Sequence, residues 1–229
     1  MDRLMNTINV ANPNSITLYH GTDKDNFIPD PYYDNPKNDY GSGLYTTRDL
    51  NKAKQWAMSK YNSSNHGYVY EYVLDVSDLN VLDLCKEDSL SWISILIKNR
   101  GIGDKTEDNP LLLNRIKMLQ SKYDIDTSEC DIIIGYRADD SFYKYASDFV
   151  SGSIYKEVLD QALMLGKLGK QYCLKTKKAF DNLKYVGKYN ATQKDRDEFN
   201  RIDREAALQY LEIKRSITYG RTISKFIDE

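Results

Sequence analysis

Three residues far apart in this chain carry side chains suited to chemistry on a ring-bearing ligand. His20 follows Ser15-Ile16-Thr17-Leu18-Tyr19, whose apolar–polar alternation predicts a strand, and Gly21-Thr22 behind it predicts a turn. An imidazole at a strand end is either a structural hydrogen-bonding group or a ligand-binding one. Tyr45 lies in the strand-like run Gly43-Leu44-Tyr45-Thr46-Thr47 and offers a face on which a planar ring can stack. Gln171 opens another such run and brings a carboxamide, which donates and accepts but has no charge. Asp139 and Asp140 add two carboxylates behind the apolar run Ile132-Ile133-Ile134-Gly135, where acids commonly serve as turn or cap residues.

Other reactive groups point to less. Cys85, Cys130 and Cys173 are odd in number, widely spaced and set in apolar sequence, so they read as reduced core residues with no metal expected. Lys167, Lys170, Lys175, Lys177, Lys178, Lys184 and Lys188 crowd a segment in which Asp181 is the only acid. Such a patch faces either a pyrophosphate or water. The formal net charge of -2 excludes a global attraction to nucleic acid or anionic lipid.

The elements that must position these groups fit one sizeable core. At 229 residues, 41% hydrophobic and 29% charged, the chain has a globular composition. Residues 23–42 lack any sustained period and read as a long surface loop. Leu50, Ala53 and Ala57 recur at helical spacing, predicting a helix over 49–61 capped by Thr47 or Asp49. Residues 68–74 and 81–82 read as strands with a turn at 78–80, and 132–135 as a buried central strand.

Residues 88–99 and 110–121 have helical period and together predict a helical insertion. A further helix is marked by Ile154, Val158, Ala162 and Leu165, and residues 171–186 read as strand, turn at Asp181-Asn182, strand. Phe199, Ile202, Ala206, Tyr210, Ile213 and Ile217 form one stripe on a long charged helix that packs on the body or on a partner. A soft boundary near Asn190 divides a domain at 1–189 from a helical appendage at 190–229. The first residues lack the basic start and apolar run of a secretory signal, and no stretch reaches membrane-spanning length. The expectation is a soluble, cytoplasmic protein without a membrane partner.

Read together, the ordered pieces are more specific than any one of them. Leu18-Tyr19-His20-Gly21-Thr22 is followed by Asp39-Tyr40-Gly41-Ser42-Gly43-Leu44-Tyr45-Thr46-Thr47, then by Ala53-Lys54-Gln55-Trp56-Ala57. Asp131-Ile132-Ile133-Ile134-Gly135, Ala138-Asp139-Asp140 and Gln171-Tyr172-Cys173-Leu174-Lys175-Thr176 come after. Over roughly residues 15–187 this pattern resembles the ADP-ribosyltransferase family, in its diphtheria-toxin and poly(ADP-ribose) polymerase branch, and within it a bacterial toxin-like group. The resemblance implies an α+β fold of two packed, mostly antiparallel sheets around an NAD cleft, with NAD as co-substrate. It also implies a mono-ADP-ribosyltransferase, with NAD glycohydrolase as a side activity, that modifies a macromolecular acceptor, protein or nucleic acid. Relatives in this group look like toxins encoded beside a small neutralising protein.

By the same resemblance His20 bonds the adenosine ribose, the backbone at Gly21 holds the nicotinamide amide with Thr22 beside it in the cofactor site, and Tyr45 stacks on the nicotinamide. Gln171 takes the ribose hydroxyl beside the reacting carbon. Gly43, Tyr40 and Asp140 complete the expected cofactor site, with Tyr61 an alternative second wall to Tyr40. The branch ordinarily has Glu where Gln171 stands. A hydrogen bond to a charged group is worth ~1.5–3 kcal/mol against ~0.5–1.5 for a neutral one, so the change costs about tenfold in rate. Polymer formation is not expected without that carboxylate, and Asp139 or Asp140 is the candidate to supply the charge. The alternatives are a catalytically weak NAD- or ADP-ribose-binding module and a pure interaction protein.

Overall fold

The computed structural model describes residues 14–59, 62–101, 109–137, 140–165 and 169–227, with backbone alone for 140–142. In chain order the elements begin with β1 (Ser15–Thr22), β2 (Leu44–Thr46), α1 (Leu50–Ala57), β3 (Gly67–Asp75) and β4 (Val81–Asp83). After a 3-10 turn at Leu84–Lys86 come α2 (Ser89–Arg100), α3 (Pro110–Tyr123), β5 (Ile132–Tyr136), α4 (Asp140–Val150) and α5 (Lys156–Ala162). The chain ends with β6 (Lys170–Leu174), α6 (Lys177–Asp181), β7 (Leu183–Ala191), α7 (Gln193–Ser216) and α8 (Ser224–Ile227).

The strands make two sheets, one ordered β1-β3-β7 and the other β2-β6-β5-β4. All pairings are antiparallel except β4 with β5. With eight α-helices among the described residues, the α+β class and the two mostly antiparallel sheets are as expected. None of those helices is long and apolar enough to cross a membrane.

Alternating burial explains the layers. Leu18 and Leu74 from the first sheet meet Leu44, Ile132 and Leu174 from the second, so apolar faces join the sheets. On its other side the first sheet packs Val69 and Ala191 against Ala53, Ala57 and Met58, in and just beyond α1. Asp49 caps α1, its carboxylate accepting from the amides of Asn51 and Lys52, as one of the two expected caps.

The largest core lies between the second sheet and the helices, and it revises the helical insertion. Leu90, Trp92, Ile93, Ile95, Leu96 and Ile97 are all buried, so α2 is apolar around most of its circumference and sits inside that core. From beyond residue 190, Tyr210, Ile223 and Ile227 enter the same core.

Three elements differ from the sequence reading. The Asp181-Asn182 turn is preceded by the helical turn α6, capped by Thr176, whose hydroxyl accepts from the Ala179 amide. Helix α4 was not expected, although Tyr145, Ala146, Phe149 and Val150 form a buried stripe at helical spacing. The loop over 23–42 is irregular and largely exposed, but its end turns inward, burying Asp39, Tyr40 and Gly41. Tyr61, Asp139 and Lys167 lie outside the described residues, as does the side chain of Asp140.

Candidate functional site

The two sheets part where a side chain takes over from backbone pairing. Tyr19 and Thr47 exchange backbone hydrogen bonds, Tyr19 N–H to Thr47 O at 2.7 Å and Thr47 N–H to Tyr19 O at 2.9 Å. One residue further the Tyr45 carbonyl is taken by the imidazole, with His20 Nδ1 donating to it at 2.8 Å. Strand periodicity turns the N–H and C=O of Gly21 to the same edge as those of Tyr19. No backbone bond is formed there by Gly21 among the described residues. A cleft of about 780 Å³ opens at this point. That volume suits an organic ligand of substantial size.

His20, Gly21, Thr22, Gly43, Tyr45 and Gln171 all line the cleft. Three stretches of chain, at 20–22, 43–45 and 171, are thereby brought together. Burial lowers the pKa of His20 to about 4, so the ring is neutral at neutral pH. Because a carbonyl can only accept, Nδ1 carries the proton, which leaves Nε2 an acceptor. The ring stacks on Phe27, with centroids 4.3 Å apart.

Tyr45 is fixed at its far end. Its hydroxyl donates to the Gly41 carbonyl at 2.7 Å and accepts from the Tyr40 amide at 2.8 Å. Burial raises its pKa well above the usual phenol value, so it is a neutral ring with a tethered hydroxyl. Opposite it on β6 stands Cys173, buried, with its thiol pushed up to about 12. That thiol is no nucleophile. All three cysteines are free, with Cys85 and Cys130 only partly buried.

The two cleft glycines are required by packing. A Cβ on Gly21 would lie 2.2 Å from the Ala53 carbonyl of α1, so the glycine admits the helix rather than the ligand. Gly43, at φ 155°, is pressed against the Leu174 carbonyl and the Cys173 sulfur.

Tyr40 is not a wall of the cleft. It is 1% exposed, its hydroxyl donates to the Tyr136 carbonyl at 2.6 Å, and it accepts from Trp92 Nε1 at 2.9 Å. Its ring backs that of Tyr45, nearly parallel at 6.3 Å. A phenol that anchors a loop to the core has no free face for a ligand.

Among the described residues, no lysine of the lysine-rich segment lines the cleft either. Lys170 pairs with Asp83, Lys177 with Asp181, Lys178 with Asp131 and Lys188 with Asp25. Distant acids thus offset three of these lysines, and the segment's own Asp181 offsets the fourth.

All six charged residues that line the cleft escaped the sequence reading. Asp39, 8% exposed, pairs with Arg100 at 2.9 Å and accepts from Gln171 Nε2 at 2.8 Å. Arg137 is also buried and lies over the Trp56 ring at 4.2 Å. Lys24, Lys37, Arg100 and Arg137 face Asp30 and Asp39, four positive groups against two negative. The cleft therefore favours an anion. Among the described residues no cluster of His, Cys, Asp and Glu is arranged to hold a metal ion.

No curated protein and no solved structure matches the chain. A family described as protein of unknown function (DUF3990) matches residues 16–185, which include every residue lining the cleft. On that match over most of its length, the chain belongs to the DUF3990 family.

Proposed function

We propose that the cleft binds NAD and that the protein is a mono-ADP-ribosyltransferase acting on a macromolecular acceptor. The observation that carries this reading is the convergence of His20, Gly21, Tyr45 and Gln171 on one cleft at the parting of the two sheets. Each group has the chemistry its role needs. Nε2 of neutral His20 accepts a hydrogen bond from the adenosine ribose, and the free N–H and C=O of Gly21 match the nicotinamide amide. The Tyr45 ring, backed by Tyr40, covers the nicotinamide. The basic excess of the cleft balances the pyrophosphate.

In the reaction the bond from ribose C1 to the nicotinamide nitrogen breaks and its electron pair leaves with neutral nicotinamide. The ribose passes through an oxocarbenium-like state. An acceptor nucleophile, or water, then bonds to C1 and gives up a proton. Gln171 takes the adjacent ribose hydroxyl and brings no charge of its own. On this reading the protein is a bacterial toxin or effector of the cytoplasm, with a small neutralising partner.

The test is incubation with labelled NAD and a cell lysate, reading label on macromolecules and release of free nicotinamide. Absence of both overturns the reading. Full activity in Tyr45→Ala removes the site assignment. The uncharged Gln171 favours one second reading, a module that binds NAD without turning it over. Calorimetric binding of NAD with no nicotinamide release selects it.

A further inference from the structure

Gln171 is 1% exposed, and both hydrogens of its amide are committed. Nε2 donates to Asp39 Oδ2 at 2.8 Å and to the Tyr136 carbonyl at 3.2 Å. Turning the amide over would set Oε1 against two oxygens, so the acceptors fix its orientation. Oε1 is then buried without a hydrogen-bond partner. A buried acceptor left unpaired is costly in a folded protein and marks a place for a donor from outside. Asp39 is itself held by Arg100 Nη1 at 2.9 Å, so the chain Arg100–Asp39–Gln171 runs across the floor of the cleft.

We infer that Asp39 is the positioning residue for Gln171: its carboxylate holds the amide so that Oε1 meets a ligand hydroxyl, and it supplies the negative charge that residue 171 lacks. This rests on the reading of the cleft as an NAD site. A carboxylate accepting from an amide N–H draws electron density towards the amide oxygen, because linked hydrogen bonds polarise one another in a low-dielectric interior. Oε1 thus becomes a stronger acceptor for the ribose hydroxyl than an isolated glutamine, and the charge lies one residue removed from the reacting carbon. The sequence reading looked for that charge at Asp139 or Asp140. Asp39 instead comes from the end of the long loop.

A cycle of variants assayed for nicotinamide release tests the pair. Asp39→Asn keeps the shape and removes the charge, and is expected to lower kcat about tenfold with little change in KM. Gln171→Glu introduces the carboxylate ordinary in ADP-ribosyltransferases but sets it beside Asp39. Two carboxylates at that distance do not both ionise readily, so this variant is also slow near neutral pH and speeds up as pH rises. In the double variant Asp39→Asn/Gln171→Glu the new amide donates to the new carboxylate, and activity returns to within about threefold of wild type.

Wild-type turnover unaffected by Asp39→Asn, or a double variant no better than the singles, overturns the inference and leaves the NAD reading standing. A wild-type protein that releases no nicotinamide even with lysate present overturns the transferase reading itself. Should a variant fail to fold, NMR of the wild type reports on the same pair without NAD. The Gln171 side-chain amide protons are expected to shift as acid protonates Asp39, and protons indifferent to pH overturn the inference.

Discussion

His20 and Tyr45 are joined by one hydrogen bond of 2.8 Å, and that bond ties the first sheet to the second at the mouth of the cleft. It determines two properties at once. It closes the last carbonyl of β2 on the side facing β1, where backbone pairing has ended with Tyr19 and Thr47. It also fixes the imidazole tautomer, so the same ring that closes the backbone presents an acceptor to a ligand.

Stability should follow the protonation of His20. Burial holds its pKa near 4, whereas an unfolded chain has about 6.5. Between those values the unfolded chain binds a proton that the folded one refuses, so the contribution is fully present above about pH 6.5 and is lost as pH falls towards 4. The shift corresponds to on the order of 3 kcal/mol. Urea midpoints on either side of this range, compared between wild type and His20→Gln, isolate the effect. A variant with the same loss in acid as wild type would remove His20 as its cause.

Gly21→Ala should destabilise through helix α1 alone. The added carbon meets the Ala53 carbonyl at 2.2 Å and the Ala57 amide at 2.9 Å, and backbone cannot swing aside as a side chain can. Overpacking of this kind costs about 1–3 kcal/mol. Gly187→Ala, with nothing within 4 Å of the new carbon, is the control and should leave the melting temperature unchanged or slightly raised. Equal melting temperatures for the two variants would contradict this packing account.

Tyr45 separates stability from binding. Tyr45→Phe strips the Tyr40 amide and the Gly41 carbonyl of their shared partner, which should cost about 1–3 kcal/mol in urea unfolding while keeping the ring. Tyr45→Ala removes the ring as well and should raise KM for NAD beyond any effect of the phenylalanine variant. If both variants bind NAD alike, the ring does not cover the ligand.

What could be read along the chain was whatever depends on neighbours in sequence. The alternation in 15–19 and the aromatic and β-branched density of 68–74 gave β1 and β3, and Asp49 stood where a cap should. Helix α6 has five residues, too few to show a period. Six of the expected site residues converge, since a motif quoted in order carries its own register. Asp39 escaped because its meaning lies in partners 61 and 132 positions away, Arg100 and Gln171. Tyr40 was misread as a wall for the same reason, being tied to Trp92 and Tyr136 across the core.

Residues after Asn190 should prove inseparable from the body. Tyr210 packs on Tyr145 with ring centroids 4.0 Å apart and donates to Asp148 at 2.7 Å, while Ile223 and Ile227 are buried in the same core. Fully burying one such side chain contributes about 1.5–3 kcal/mol, and a whole domain is stable by only about 5–15. A chain ending at Asn190 should therefore show no cooperative thermal transition by circular dichroism. A truncated chain that melts cooperatively near the wild-type temperature would show instead that α7 and α8 are dispensable. The outer face of α7 behaves differently, since Leu208 and Leu211 are exposed. Leu208→Glu should fold and melt as wild type does, so loss of a partner in that variant reports on the helix surface, whereas loss in the truncation reports only on the missing core.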